Sequence, residues 1–204
     1  MTNVAVVYYS STGHVHTLAQ AAAAAAEKAG AEVRLRRVAE TASADAIAAN
    51  PEWAEHTAAT GDVTTAAVED LEWADAILFG TPTRYGLPAA QLKQFIDATG
   101  DLWEQGKLVN KVVSSFTSSA TAHGGQESTL LALNNTFYHW GAIIVPPGYA
   151  DPIQFAEGNG NPYGTSHTAA DATPPSGEKL GAIEFQARRL TGIATALKAG
   201  LRAA

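Results

Sequence analysis

Three short segments carry residue types that could hold an anionic, ring-bearing small molecule. The first is Ser10-Ser11-Thr12-Gly13-His14-Val15, directly after the apolar run Asn3 to Tyr9. Small residues let a backbone approach an anion. A helix start behind them offers free N–H groups and a partial positive charge. The hydroxyls of Ser10, Ser11 and Thr12 add donors. The turn has no lysine and no GxGxxG spacing, so it is neither a nucleotide-triphosphate loop nor a dinucleotide fingerprint. By itself it reads equally as an ordinary helix N-cap.

The second segment, Thr81-Pro82-Thr83-Arg84-Tyr85-Gly86, brings hydroxyls, a cation and an aromatic to one point. Arg84 and Tyr85 can flank a planar ring and its polar edge, although Arg84 alone would read as part of an exposed turn. The third, Thr117 to Gly125, is rich in hydroxyls and holds His123 but no carboxylate. That suits a neutral, hydrogen-bonding ring edge, or equally a flexible connector.

The elements around these segments explain why they should meet. Asn3–Tyr9, Ala31–Val38, Asp75–Gly80, Lys111–Phe116 and Ala142–Val145 read as five strands, short and rich in β-branched or aromatic residues. Helical stretches lie between them: alanine-rich Val15–Lys28 closed by Gly30, a stretch ending at Trp73, Pro88–Thr99, and one reaching about His139. Glu178–Leu201 closes the chain. Strands alternating with helices predict an α/β fold, a doubly wound five-stranded parallel sheet with helices on both faces. Such sheets bind ligands at the carboxyl ends of their strands, and all three segments follow strands. Residues 1–204 read as a single domain with an insertion at about 40–70 and a long loop at about 146–178. The insertion suggests short helices. The loop holds six of the nine prolines and suggests no regular structure.

Composition narrows the function classes. The formal net charge of −7 disfavours nucleic acid and anionic membrane surfaces. No cysteine is present, so thiol chemistry, disulfides and thiolate metal sites are excluded, and any redox activity needs a bound cofactor. No membrane-length apolar run and no signal-peptide pattern is visible, so the expectation is a cytoplasmic protein without membrane or metal. His14 and His16 are two apart, which does not make a metal pair. Glu69, Asp70 and Glu72 read as a solvated helix face.

The order of motifs resembles the WrbA family of flavodoxin-like NAD(P)H:quinone oxidoreductases. The resemblance rests on Val7-Tyr8-Tyr9-Ser10-Ser11-Thr12-Gly13-His14, Phe79-Gly80-Thr81-Pro82-Thr83-Arg84-Tyr85-Gly86, Thr99-Gly100-Asp101-Leu102-Trp103 and Gly124-Gly125-Gln126-Glu127-Ser128-Thr129. Val145-Pro146-Pro147-Gly148-Tyr149 and Asn161-Pro162-Tyr163-Gly164 extend it nearly end to end. It implies a flavodoxin-like fold, bound FMN, NADH or NADPH as electron donor, a quinone acceptor and a homotetramer with active sites near subunit boundaries.

It also implies site roles. Ser10, Ser11, Thr12, Gly13, His14 and Val15 would hold the FMN phosphate. Thr81, Pro82, Thr83, Arg84, Tyr85 and Gly86 would form the second cofactor segment, with Thr83, Arg84 and Tyr85 at the isoalloxazine. Ser118, Ser119, Ala120, Thr121, Ala122, His123 and Gly124 would line its pyrimidine side. His139 would stand near the flavin as proton or hydrogen-bond donor to the quinone, and Trp103 would wall the substrate side. Core roles for His139 and Trp103 remain the alternatives. The chain departs from the family at Ser11-Thr12 (commonly Met-Tyr), at Leu87 (commonly Asn), and in a third loop one residue longer, Ser119-Ala120-Thr121-Ala122-His123. A flavodoxin-type electron carrier that does not oxidise nicotinamides is the competing function. A scaffold that lost its flavin is a third reading.

Overall fold

The computed structural model describes residues 1–203, without the side chains of residues 171, 202 and 203. Its strands are β1 (Thr2–Tyr8), β2 (Ala31–Arg37), β3 (Ala76–Arg84), β4 (Leu87–Pro88), β5 (Val112–Ser119), β6 (Ile143–Ile144) and β7 (Ser166–Thr168). The helices are α1 (His14–Lys28), α2 (Ala44–Ala48), α3 (Pro51–Ala59), α4 (Val68–Trp73), α5 (Ala90–Asp97), α6 (Gly100–Glu104), α7 (Gln126–Trp140) and α8 (Gly177–Ala203).

Side chains alternate across a strand. In β1, Val4, Val6 and Tyr8 therefore enter one core while Ala5 and Val7 enter the other. A strand apolar on both faces must be covered on both faces. On one side lie Leu18, Ala19, Ala22 and Ala26 of α1 with Ile183, Ala187 and Leu190 of α8. Alanines at the contact let both helices approach the sheet. Each of the two buried leucines contributes roughly 1.5–3 kcal/mol. On the other side lie Leu71 of α4, Leu92 of α5, and Leu133, Phe137 and Trp140 of α7. Phe79 of β3 anchors that core, its ring 5.4 Å from Phe137 and 5.9 Å from Trp140.

The main path of the sheet is β2-β1-β3-β5-β6, all parallel, so the fold is the expected doubly wound, flavodoxin-like one. Strand order reverses between β1 and β3, which places the crevice at their carboxyl ends.

The strand count is seven rather than five. β3 runs on through Arg84 and turns back into β4, which pairs antiparallel to it. Pro88 thus ends a strand instead of opening a helix. β5 runs on through Ser119 because β7 pairs with Thr117, Ser118 and Ser119. The segment expected to be an irregular loop therefore supplies a strand. Gln186 of α8 fixes the approach to it: its Oε1 accepts from the Thr165 N–H at 2.8 Å, while its Nε2 donates to Ser114 Oγ and the Ser115 carbonyl. The insertion carries α2, α3 and the approach to α4. Asn50-Pro51 is a helix start, with Asn50 Oδ1 accepting from the Trp53 N–H at 3.2 Å. Asp70 is buried, paired with Arg34 and Arg36, and not on a solvated face.

Candidate active site

The first turn is shaped by Gly13, which sits at φ +95° as the N-cap of α1. This left-handed conformation suits glycine. Ser10 Oγ accepts from the Gly13 N–H at 3.1 Å, so one hydroxyl closes the turn. No side chain caps α1 and no acid stands in its first turn, which leaves the positive helix end open.

The second segment is tied to the first and the third. Arg84 Nη2 donates to Ser11 Oγ at 3.1 Å. Thr83 Oγ1 donates to the Gly125 carbonyl at 3.2 Å and also contacts Thr129 Oγ1. Gly86 and Gly125 pack backbone to backbone, both at positive φ. A Cβ on Gly125 would lie 2.7 Å from Gly86 Cα. Thr81 is wholly buried and structural, its Oγ1 accepting from the Ala89 N–H. Tyr85 is fully exposed at φ 53°.

These segments surround a cavity of about 630 Å³, within the usual range for small-molecule sites. Ser11, Thr12, His14, Pro82, Thr83 and Arg84 line it, as do Ser118, Ser119 and Ala120. The three segments thus converge, but Thr81, Tyr85 and Gly86 of the second and the outer part of the third do not line the cavity. Thr121, Ala122 and His123 are exposed and turn outward, and Gly124 packs on Ser119.

His139 and Trp103 are not on this cavity. His139 lies in the last turn of α7, about 20 Å along the helix from the third loop. It is exposed, so it is no core histidine. Trp103 Nε1 donates to the His139 carbonyl at 2.9 Å, and both line a separate cleft of about 330 Å³.

Sequence reasoning missed the walls supplied by the insertion and the long loop. Asn50, Glu52 and Trp53 line the cavity on one side, Ala169 and Ala172 on another. Trp53 is held by its indole N–H on Glu40 Oε2 at 3.1 Å. Glu40 also accepts from Tyr9 and Gln91. Burial would raise its pKa, but hydrogen bonds from Ala42, Gln91, Tyr9 and Thr41 hold it below the usual value. Burial, with the same Tyr9–Glu40 hydrogen bond, raises the Tyr9 pKa.

Four of the six histidines gather at the start of α1. The His14 ring lies 5.3 Å from His167, and His16 lies 5.3 Å from both Tyr8 and His56. Burial lowers the pKa of His14, His16 and His167. It lowers His56 to about 4, helped by the charges of His16, Arg37 and His14. His167 Nε2 donates to the Thr173 carbonyl at 2.8 Å, which fixes its tautomer. Asn50-Pro51 is the local signal for the helix that carries this wall, and of the four histidines only His14 lines the cavity. Among the described residues no group of three or more histidine, aspartate or glutamate side chains is arranged to hold a metal. No helix among the described residues is long and apolar enough to cross a membrane.

The family model for NADPH-dependent FMN reductase matches residues 2–155. The chain belongs to the NADPH-dependent FMN reductase family. It is 48% identical to an NAD(P)H dehydrogenase (quinone) of Deinococcus radiodurans, over 91% of this chain and 92% of the relative. It is 46% identical to one of Sinorhizobium fredii, over 97% and 99%. A solved WrbA-like flavodoxin from Agrobacterium tumefaciens superposes with a TM-score of 0.67 at 28% identity, covering 96% and 99%.

The residues present fit the flavin mononucleotide that membership implies. The open end of α1 and the hydroxyls of Ser11 and Thr12 suit a phosphate. Neutral side chains at Thr83, Ser118 and Ser119 suit a polar ring edge, although the Thr83 and Ser119 hydroxyls already donate to the Gly125 and Thr121 carbonyls. Between these two sets the cavity holds one carboxylate, Glu52.

Proposed function

We propose that the chain is a single flavodoxin-like domain acting as an FMN-dependent NAD(P)H:quinone oxidoreductase. The observation that carries this reading is the convergence of three hydroxyl- and glycine-rich segments on one cavity at the sheet's switch point. Bound flavin supplies hydride chemistry, taking two electrons from a nicotinamide and passing them to a quinone. The protein's own residues bind and orient. The N–H groups at the start of α1, with Ser10, Ser11, Thr12, His14 and Val15, take the phosphate. Pro82, Thr83 and Arg84 border one side of the ring and Ser118, Ser119 and Ala120 another. Arg84 locks the first two segments through Ser11, and the Gly86–Gly125 contact locks the second to the third.

His139 and Trp103 fit this function through assembly. In a homotetramer their cleft would face a neighbour's flavin, with Trp103 as an apolar wall and His139 as a hydrogen-bond or proton donor to the quinone. The exposed aromatics Tyr85, Tyr149 and Phe155 support such association. We also propose a cytoplasmic location, where reduced nicotinamides are available to such an enzyme.

The test is anaerobic mixing of the flavin-loaded protein with NADH or NADPH, followed by benzoquinone. Bleaching of the flavin by a nicotinamide and its return with quinone are expected. A flavin that neither nicotinamide bleaches would make the chain an electron carrier. Sedimentation checks the tetramer.

A further inference from the structure

A second cavity, of about 350 Å³, lies behind the third loop, between that loop, residues 154–168 and the start of α8. It shares no lining residue with the flavin-sized cavity, and its polar groups need no flavin to define them. Lys179 is 6% exposed, and its Nζ donates to the Gly158 carbonyl at 2.5 Å. Among the described residues no carboxylate forms an ion pair with it; Glu127 also lines the cavity, but it is exposed at the rim and not paired with Lys179. Three buried polar atoms of residues lining the same cavity lack partners. Gln154 is 2% exposed and its Nε2 has no acceptor. Thr165 is 3% exposed and its Oγ1 has no partner. Asn159 Oδ1 has no donor.

Buried polar groups are normally satisfied, and a buried charge normally finds a counter-charge. Ordered water can satisfy Gln154, Thr165 and Asn159, but it brings no charge to Lys179. Two unfulfilled donors beside one cation match a monoanionic carboxylate. A phosphate dianion would leave a charge uncompensated in a site with a single buried cation. The lone acceptor, Asn159 Oδ1, asks for an O–H or N–H on the same molecule. We propose that this cavity binds a small carboxylate bearing a hydroxyl or amino group, its carboxylate on Lys179, Gln154 and Thr165 and its donor on Asn159. Burial lowers the Lys179 pKa to about 8, so the cation persists at neutral pH and a bound carboxylate would strengthen it.

Calorimetric titration of the FMN-loaded protein with lactate, alanine, acetate and inorganic phosphate tests this. Saturable binding of lactate or alanine is expected, and which of the two binds tells hydroxyl from amino recognition. Acetate should bind about fivefold more weakly, lacking a donor for Asn159. Lys179→Met and Gln154→Leu should each weaken binding about tenfold or more while leaving the far-ultraviolet circular dichroism unchanged. Should Lys179→Met not fold, Gln154→Leu alone decides, because its Nε2 makes no bond to lose. No saturable binding of any probe, affinity unchanged in the variants, or phosphate binding tightest would each overturn the proposal.

Discussion

The two edges of the sheet both carry a cavity, and they treat polar groups in opposite ways. At the amino edge a cavity of about 400 Å³ is lined by Asp75, Lys107, Lys111 and Lys198. Its charges are matched within the protein. Lys198 pairs with Asp75 and Lys107 with Glu72. Lys111 donates to the carbonyls of Glu72 and Ala74, and the Asn3 N–H donates to Asp75 Oδ2. Burial lowers the Lys111 pKa against the pull of Asp75 and Glu72. At the carboxyl edge the groups are hydroxyls, histidines below their usual pKa and an uncapped helix end. Volume does not separate a site from a crevice here. What separates them is that the amino edge pairs its charges internally, whereas the carboxyl edge leaves the positive end of α1 without a side-chain cap or an acid.

The strongest way to break the comparison is Gly125→Ala. The new Cβ meets Gly86 Cα, and φ +89° is strained for alanine. Strain of about 1–2 kcal/mol and overpacking of about 1–3 kcal/mol add to roughly 2–5 kcal/mol. Flavin affinity should fall about 30-fold or more, read by fluorescence titration. Gly106→Ala, also at positive φ but with open space around it, should lose about 1 kcal/mol of stability and no flavin affinity.

Acid should expose the next difference. The folded pKa values of His14, His16, His56 and His167 lie below the unfolded value, so between the two the unfolded chain binds more protons. Stability from these groups is full above about pH 6.5 and is lost as pH falls toward about 4. The groups facing His56 are His14, His16 and Arg37, with Asp62 acting on His16 and Glu52 on His14. Thermal melts across this window should show the slope, and His56→Gln should flatten part of it. Added FMN should flatten it further, because a phosphate favours protonated neighbours.

Arg84→Met removes the tie to Ser11 and should weaken flavin binding about fivefold, or about 1 kcal/mol, with little change in melting temperature. The smallest effect belongs to the amino edge. Lys198→Met should cost at most about 1 kcal/mol in denaturant titrations and leave flavin affinity unchanged.

The fold was legible because both its cores are written in local pattern. The alternation of Val4, Ala5, Val6 and Val7 and the alanines of α1 need no distant partner to be read. The Ser10–Val15 turn and the Thr81–Gly86 segment were legible for the same reason. The remainder of the site depends on pairings distant in sequence. β7 exists because Ser166–Thr168 meet Thr117–Ser119, and Gln186 holds that approach from α8. Trp53 reaches the cavity through Glu40, and His56 of α3 and His167 of β7 meet the histidines of α1. No spacing in the sequence announces these meetings. Asp70 misled for a related reason: it looks solvated until Arg34 and Arg36 arrive from the neighbouring strand.

The Gly86–Gly125 contact also governs how the chain can vary. Where two backbones touch with no side chain between them, neither position can drift alone. Thr121 to His123, just before Gly125, lie exposed on the outer side of this contact. The seam therefore works as a register pin. Insertions on its solvent side can accumulate and diversify the rim, while the strand end on its inner side keeps its place over the cavity.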